Sequence, residues 1–66
     1  MKTEDFAAIV ARRIIDARPA NAKEAAHVAK ANGHLLHALQ TRRKVGPQGS
    51  HAYLVRAARW LDKVEN

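Results

Sequence analysis

Apolar residues recur at helical spacing in three stretches of this chain. In the first stretch they return every three or four residues and fall on one side of a helix if each residue turns by about 100°; they are Phe6, Ile9, Val10, Ile14 and Ala17. Thr3 is the predicted N-cap, and the proline of Arg18-Pro19 ends the pattern because it restricts the residue before it. The sequence therefore predicts a first helix near residues 4–17.

The second stretch covers residues 22–43. Asn21 and Glu24 stand three residues apart, as in a capping box. The predicted apolar stripe keeps one phase throughout and consists of Ala25, Val28, Ala29, Leu35, Leu36 and Leu39. Asn32-Gly33 interrupts it with a strong turn signal, and a glycine inside a helix costs about 1 kcal/mol relative to alanine. The sequence thus predicts a central helix that is either continuous or bent and split at Asn32-Gly33, with continuity slightly favoured.

The third stretch follows two glycines and a proline, which predict a loop over residues 45–50. A small hairpin over residues 43–55 is the less favoured alternative. Ser50 is the predicted N-cap of a last helix over residues 51–65, whose apolar face is formed by Leu54, Ala57, Ala58, Leu61 and Val64. The fold prediction is an all-α, small three-helix bundle that forms a single domain over residues 1–66.

The core of this bundle has to be thin, because the chain has 66 residues and much of its 47% hydrophobic content is alanine. A domain of this size is marginally stable alone, and association is a common remedy. A second apolar line on the first helix, opposite the core stripe, is a candidate self-association face of a homodimer and consists of Ala8, Ala11 and Ile15. The chain has no cysteine, which excludes disulfides and fits a cytoplasmic location.

The formal net charge of +6 predicts an anionic partner, either nucleic acid or an acidic protein. Residues 34–50 contain Arg42, Arg43 and Lys44 and no acidic residue. The last helix adds a basic stripe at Arg56, Arg59 and Lys63. Cations at a helix end also complement the helix dipole, so a purely structural role for the first cluster stays open. No signal peptide or membrane span is predicted, because no apolar run approaches about 20 residues.

The central stretch partly resembles a helix-turn-helix DNA reader. Ala29 and Gly33 fit the small residue and the turn glycine of that motif, whereas Asn32, His34 and Arg42 fall at its apolar positions. In this interpretation one set of side chains faces the DNA groove, namely His37, Gln40, Thr41 and Lys44. The other set holds phosphates and consists of Arg42, Arg43, Arg56, Arg59 and Lys63.

Catalysis and metal binding are not predicted. The chain has one serine, Ser50, which is the predicted helix cap, and it has no glycine-rich phosphate loop. His27, His34 and His37 share a helix face with Lys23 and Lys30, whose charge disfavours a metal ion. We therefore expect no catalytic residue, no metal site and no cofactor.

The function predicted from the sequence is that of a small, basic, non-enzymatic regulator. It binds nucleic acid, with duplex DNA as the first candidate, through the cluster 42–44 and the basic face of the last helix. The alternative is a protein-binding adaptor or inhibitor that docks a helical face onto an acidic protein. The state of the helix at Asn32-Gly33 bears on this choice, since a break favours DNA reading and a continuous helix favours protein binding or self-assembly.

Overall fold

The structure is a computed structural model that describes residues 2–64, with the side chains of residues 42–48 outside the description. Helix α1 spans Thr3–Asp16 and helix α2 spans Ala22–Leu61. Within residues 2–64 there is no β-strand. The chain is therefore all-α, as the sequence predicts.

Helix α2 folds back on itself. A straight helix with the number of residues in α2 would extend for about 60 Å, whereas the longest dimension of the molecule is 36 Å. The ring of His37 lies 4.2 Å from the ring of Tyr53, and the ammonium group of Lys30 lies 4.4 Å from the ring of Trp60. Both pairs are centred on residue 45 in the sequence, so the chain reverses between residues 41 and 49. We call residues 22–41 the first arm of α2 and residues 49–61 the second arm.

Helix α1 packs against this hairpin and completes a three-helix bundle. The ring of Phe6 lies 5.1 Å from the ring of His51, and Arg13 donates a 2.8 Å hydrogen bond to the carboxylate of Asp62. Residue numbers rise together in the two pairs, so α1 runs parallel to the second arm and antiparallel to the first. The ion pair also gives a role to Asp62, an acidic residue at a helix end where the dipole disfavours it.

The core lies on the axis of the bundle, where all three helices contribute buried side chains. Its members form one cluster that consists of Val10, Ala31, Leu35, Ala38, Leu54, Ala57 and Leu61. Three of the seven are alanines, which let the two arms approach closely. Phe6, Ile14 and Trp60 are partly buried at the edge of this cluster. The predicted core of the last helix is confirmed by Leu54, Ala57, Leu61 and Val64.

The predicted core stripe of the central helix is largely wrong. Ala31 and Ala38 are buried there together with Leu35, whereas Leu36 and Leu39 are half exposed, at 50% and 49%. The reason is steric, because a closely packed helical hairpin prefers small side chains along its axis. Ile9 of α1, also predicted in the core, is 45% exposed.

The helix is continuous through Asn32-Gly33, so the alternative of a split at this point is wrong. A Cβ atom added to Gly33 would meet no atom within 4 Å apart from its chain neighbours and the backbone of its own helical turns. The residue thus faces open space and is not required by a turn. Gly33 lowers the helix propensity at this point but does not end the helix, because the turns of the first arm on either side of it are packed against the bundle.

The loop predicted over residues 45–50 falls mostly on residues 42–48, whose side chains lie outside the description, and the range of α2 runs through them. The contacts between the described residues on either side show that the chain reverses between residues 41 and 49. Ser50 is a buried residue inside the helix, with 1% exposure, and is not its N-cap. The cap of α1 is displaced by one residue, since Lys2 takes that position and Thr3 is helical.

The start of α2 follows the sequence prediction closely. The side-chain oxygen of Asn21 accepts a 2.9 Å hydrogen bond from the backbone N–H of Glu24. The carboxylate of Glu24 in turn accepts one of 2.9 Å from the N–H of Ala20. This reciprocal arrangement satisfies two backbone donors and fixes the residue at which the helix begins.

We expect Asn21→Ala to lower the free energy of unfolding by about 1 kcal/mol, because it removes the N-cap acceptor. Asn32→Ala makes the same chemical change at an exposed position inside the helix. Because alanine has the higher helix propensity there, this second substitution should raise stability by a few tenths of a kcal/mol. Urea unfolding followed by circular dichroism measures both. Equal effects of the two substitutions would contradict the capping role.

Candidate nucleic-acid interface

Aromatic and cationic side chains from the two arms of α2 meet on the side of the hairpin away from α1. The first arm supplies its side chains at spacings of three and four residues, and they are His27, Lys30, His34 and His37. The second arm supplies Tyr53, Arg56 and Trp60 at the same spacing, and Lys63 continues this set in the turn that follows the arm. We call these eight residues the cationic aromatic face.

Trp60 is the centre of the first cluster on this face. The ammonium group of Lys30 lies 4.4 Å from the centroid of its ring and that of Lys63 lies 5.1 Å away, both in cation–π geometry. The ring of His27 is 5.3 Å from it and tilted by 38°. Two ammonium groups, one from the first arm and one from the turn after the second arm, are therefore held beside one indole ring.

Tyr53 is the centre of the second cluster. Its ring lies 4.2 Å from the ring of His37, which is the shortest ring distance on the face. The guanidinium of Arg56 lies 5.3 Å from the centroid of the same ring. Tyr53 thus joins the two arms near the chain reversal and positions one cation at the surface.

The cations of this face have no carboxylate partner within the described residues. In that part of the chain, Lys30, Arg56 and Lys63 form no ion pair, and neither does Arg59. All four side chains are exposed. Asp16 lies on α1 instead and pairs there with Arg12 at 2.9 Å. The positive charge of the face is consequently available to an anionic partner.

One end of the face meets the start of α2. An open depression of about 640 Å³ lies there and is lined by Asn21, Lys23, Glu24, His27, Asp62 and Lys63. The Nδ1 atom of His27 is buried beside it without a hydrogen-bond partner among the described residues. Leaving such an atom unpaired costs about 1–3 kcal/mol, so the packing of this ring against Trp60 has to offset that cost.

The structure brings together only some of the residues predicted to bind nucleic acid. His37, Arg56 and Lys63 lie on the cationic aromatic face, and Arg59 is exposed next to it on the second arm. Gln40 is exposed on the first arm. The side chains of Arg42, Arg43 and Lys44 fall outside the described residues, so their predicted role stays a prediction.

Two of the predicted base-reading side chains are engaged within the bundle. The hydroxyl of Thr41 donates to the carbonyl oxygen of His37 at 2.9 Å, in its own helix. The ring of His37 is in contact with the ring of Tyr53, tilted by 30°. The contact of His37 joins the two arms, and the hydrogen bond of Thr41 stays within the first arm; both compete with a role in base recognition.

Sequence reasoning missed five members of the site, namely His27, Lys30, His34, Tyr53 and Trp60. The sequence does show a histidine and lysine face on the first arm and an aromatic pair, Tyr53 and Trp60, seven residues apart on the second. Their alignment depends on where α2 reverses. Since pairs across an antiparallel hairpin have a constant sum of residue numbers, a reversal at residue 45 would have aligned Lys30 with Trp60 and His37 with Tyr53.

The predicted self-association residues lie on a different side of the bundle. Ala8 is exposed, Ile15 is 69% exposed, and Ala11 is partly buried against the core. Arg13, on the flank of α1 that contacts the second arm, is committed to its ion pair with Asp62. The self-association line therefore belongs to the other flank of α1, towards the first arm.

The described residues contain neither a metal-binding cluster nor a membrane span. No three histidine or acidic side chains in this part of the chain lie together in a way that could hold a metal ion. No helix among the same residues is both long and apolar enough to cross a bilayer. No protein-family model, no curated protein and no solved structure matches this chain.

Proposed function

We propose that this protein is a small, non-enzymatic regulator that binds nucleic acid, and duplex DNA in particular, through its cationic aromatic face. The observation that carries the proposal is the set of cations held beside Tyr53 and Trp60 without a carboxylate partner among the described residues. Such cations on one surface gain free energy when they replace the counterions of a polyphosphate. The absence of cysteine fits a cytoplasmic protein.

The contacts that cover the aromatic rings favour a duplex over a single strand. Single-strand binders present open aromatic rings on which bases stack. Here Trp60 is covered by Lys30, Lys63 and His27, and Tyr53 is covered by its own neighbours. Both rings are partly buried. The face therefore offers its charges to a phosphate backbone and little stacking surface to a base.

The continuous helix favours binding with little sequence discrimination. Helix α2 has no turn at Asn32-Gly33 and so does not present a separate recognition helix there. Contacts to phosphates fix position and affinity but do not read bases. The 36 Å length of the molecule corresponds to about 10 base pairs of duplex, with a rise of about 3.4 Å for each. Arg42, Arg43 and Lys44 extend the positive charge in the sequence at the point of chain reversal.

The proposal is tested by titrating a duplex of about 20 base pairs, roughly twice the length that the molecule spans. The chain has one tryptophan, and because Trp60 lies on the face, its fluorescence should change on binding. With roughly six phosphate contacts, the slope of log K against log salt should be about −5. Two duplexes of unrelated sequence should bind almost equally, and a single strand of the same length more weakly.

No binding at low salt, or binding that does not respond to salt, would overturn this function. Arg42→Ala combined with Arg43→Ala should weaken binding as well, if the cluster at the reversal contributes. A strong preference for one duplex sequence would contradict backbone recognition. It would indicate that bases are read, with Gln40 as the exposed candidate.

The second candidate function is docking onto an acidic protein. The unbroken helix at Asn32-Gly33 favours it, because a continuous arm offers an extended surface to a partner helix. An acidic protein would also be attracted by the cationic aromatic face. The salt titration separates the two candidates, since this alternative requires that duplex DNA does not bind and that one acidic protein remains bound after nuclease treatment.

A further inference from the structure

The cationic aromatic face contains histidines beside its permanent cations. His37 is exposed on the first arm, and its ring lies 4.2 Å from the ring of Tyr53. His34 lies about one turn before it on the same side of the arm and is partly buried. Histidine differs from lysine and arginine because its side chain changes its charge between about pH 5 and pH 8. The charge of the face can therefore change with pH.

His37 shares one aromatic ring with a permanent cation. The centroid of the Tyr53 ring lies 4.2 Å from the ring of His37 and 5.3 Å from the guanidinium carbon of Arg56. The imidazole and the guanidinium are thus closer to each other than the Debye length, which is about 10 Å at roughly 0.1 M salt. A phosphate group held at this point would interact with the charges of both side chains.

The antiparallel pairing of the arms places His34 near the same guanidinium. His37 faces Tyr53 across the hairpin. His34 lies three residues earlier on the first arm, and Arg56 lies three residues later on the second arm. Because the arms run in opposite directions, these two residues face each other as well. Both histidines are therefore neighbours of Arg56.

No carboxylate of the two arms offsets this charge. The sequence contains no aspartate or glutamate in residues 34–41 or 49–61, and the segment between them contributes cations only. Helix α1 packs on the other side of the hairpin, and the end that contacts His51 carries Lys2, Glu4 and Asp5. A proton gained by a histidine beside Arg56 thus adds to the positive charge that an anionic partner meets.

His27 is set apart from these two histidines. Its ring packs against the ring of Trp60 at 5.3 Å, and its Nδ1 atom is buried without a hydrogen-bond partner among the described residues. Lys23, Glu24, Asp62 and Lys63 line the depression beside it. The buried nitrogen cannot contact a phosphate at the surface without a change in packing. The part of the face around Arg56 is therefore the better place for a proton and a phosphate to bind together.

We propose that the cationic aromatic face takes up protons at His34 and His37 when nucleic acid binds, so that its affinity rises as the pH falls. This inference rests on the proposed function and adds a form of regulation to it. The phosphodiester backbone keeps its negative charge throughout the range in which histidine titrates. By linkage, protons that strengthen binding of the phosphates are themselves held more tightly in the complex.

The coupling is tested by titrating the full chain into a fluorescently labelled duplex that lacks terminal phosphates, at about pH 7.5 and about pH 5.5. We expect an affinity about tenfold higher at the lower pH. The slope of log K against log salt should also become more negative, by up to about 1.8 for two added phosphate contacts. Circular dichroism at both pH values verifies that the helices are intact.

The variant His34→Gln with His37→Gln should reduce the ratio of the two affinities to less than about twofold, because neither position can gain a charge. His51→Gln is the matched control. His51 is exposed and contacts Phe6 of α1, away from the face, so this variant should keep the roughly tenfold ratio. A ratio that the double variant keeps, or that His51→Gln abolishes equally, would contradict the assignment to these two histidines.

A permanent charge provides the reverse test, which does not depend on the packing of glutamine against Tyr53. His37→Lys should bind the duplex several-fold more tightly than the original chain at about pH 7.5, whereas His51→Lys should stay within about twofold. Equal gains in the two variants would contradict a local effect at the face. Binding with the same affinity at both pH values would remove the coupling and leave the proposed function intact, whereas no binding at either pH would overturn both.

Discussion

Leu54→Ala is expected to lower the free energy of unfolding by about 3–4 kcal/mol, because it leaves a cavity at a closely packed position. Leu54 is 1% exposed and lies in the cluster where α1 and both arms of α2 meet. A chain of this length has a total stability of only about 3–10 kcal/mol. The substitution should therefore remove a large part of that stability, which urea unfolding followed by circular dichroism would show.

Leu36→Ala is the matched control for this loss. It removes the same atoms from a helix residue that is 50% exposed. The substitution should cost less than about 1 kcal/mol, since much of the removed surface already contacts water. Both variants have to be measured at low protein concentration, so that any dimer does not contribute. Similar losses of stability for the two leucines would contradict the difference in burial between Leu54 and Leu36.

This pair of leucines also shows how far the sequence determines the fold. The helical stretches, the cap at Asn21 and the core of the last helix follow from periodicity and local chemistry, and the structure confirms them. Leu36 is predicted in the core because an apolar stripe is assumed to turn its largest side chains inward. In a chain rich in alanine, several stripes fit equally well, and only the partner helix selects among them.

The partner in this case is another part of the same helix. Because α2 reverses between residues 41 and 49, the axis of its hairpin is lined by Ala31 and Ala38, and the larger Leu36 and Leu39 lie at the sides. Local signals cannot give this arrangement, since it depends on how closely two arms approach. The site also depends on the packing of the two arms, because Lys30 and Trp60 are far apart in sequence but only 4.4 Å apart in space.

The ion pairs illustrate a similar division between local and long-range information. Arg12 and Asp16 are four residues apart on one exposed helix, so their pairing follows from the sequence and contributes a few tenths of a kcal/mol. Arg13 follows directly after Arg12 on the same helix. The structure gives it a partner 49 residues away, Asp62, which no spacing rule could supply.

Removal of the charge on the cationic aromatic face is expected to have the largest effect on function. A triple variant with Lys30→Gln, Arg56→Gln and Lys63→Gln keeps long, helix-compatible side chains and deletes three exposed cations. If each contact with a phosphate contributes roughly 1 kcal/mol, affinity for duplex DNA should fall on the order of a hundredfold. The slope of log K against log salt should become less negative by about 2.7, or about 0.9 for each lost contact.

The matched control changes the same amount of charge on the other side of the bundle. Lys2→Gln, Arg12→Gln and Arg18→Gln also lower the net charge from +6 to +3, at exposed positions on and next to α1. Because distant charges are screened beyond about 10 Å at roughly 0.1 M salt, this variant should lose only a few-fold in affinity. Equal losses in the two variants would show that net charge alone attracts DNA, whereas a loss confined to the first variant would locate the binding surface between the two arms of α2.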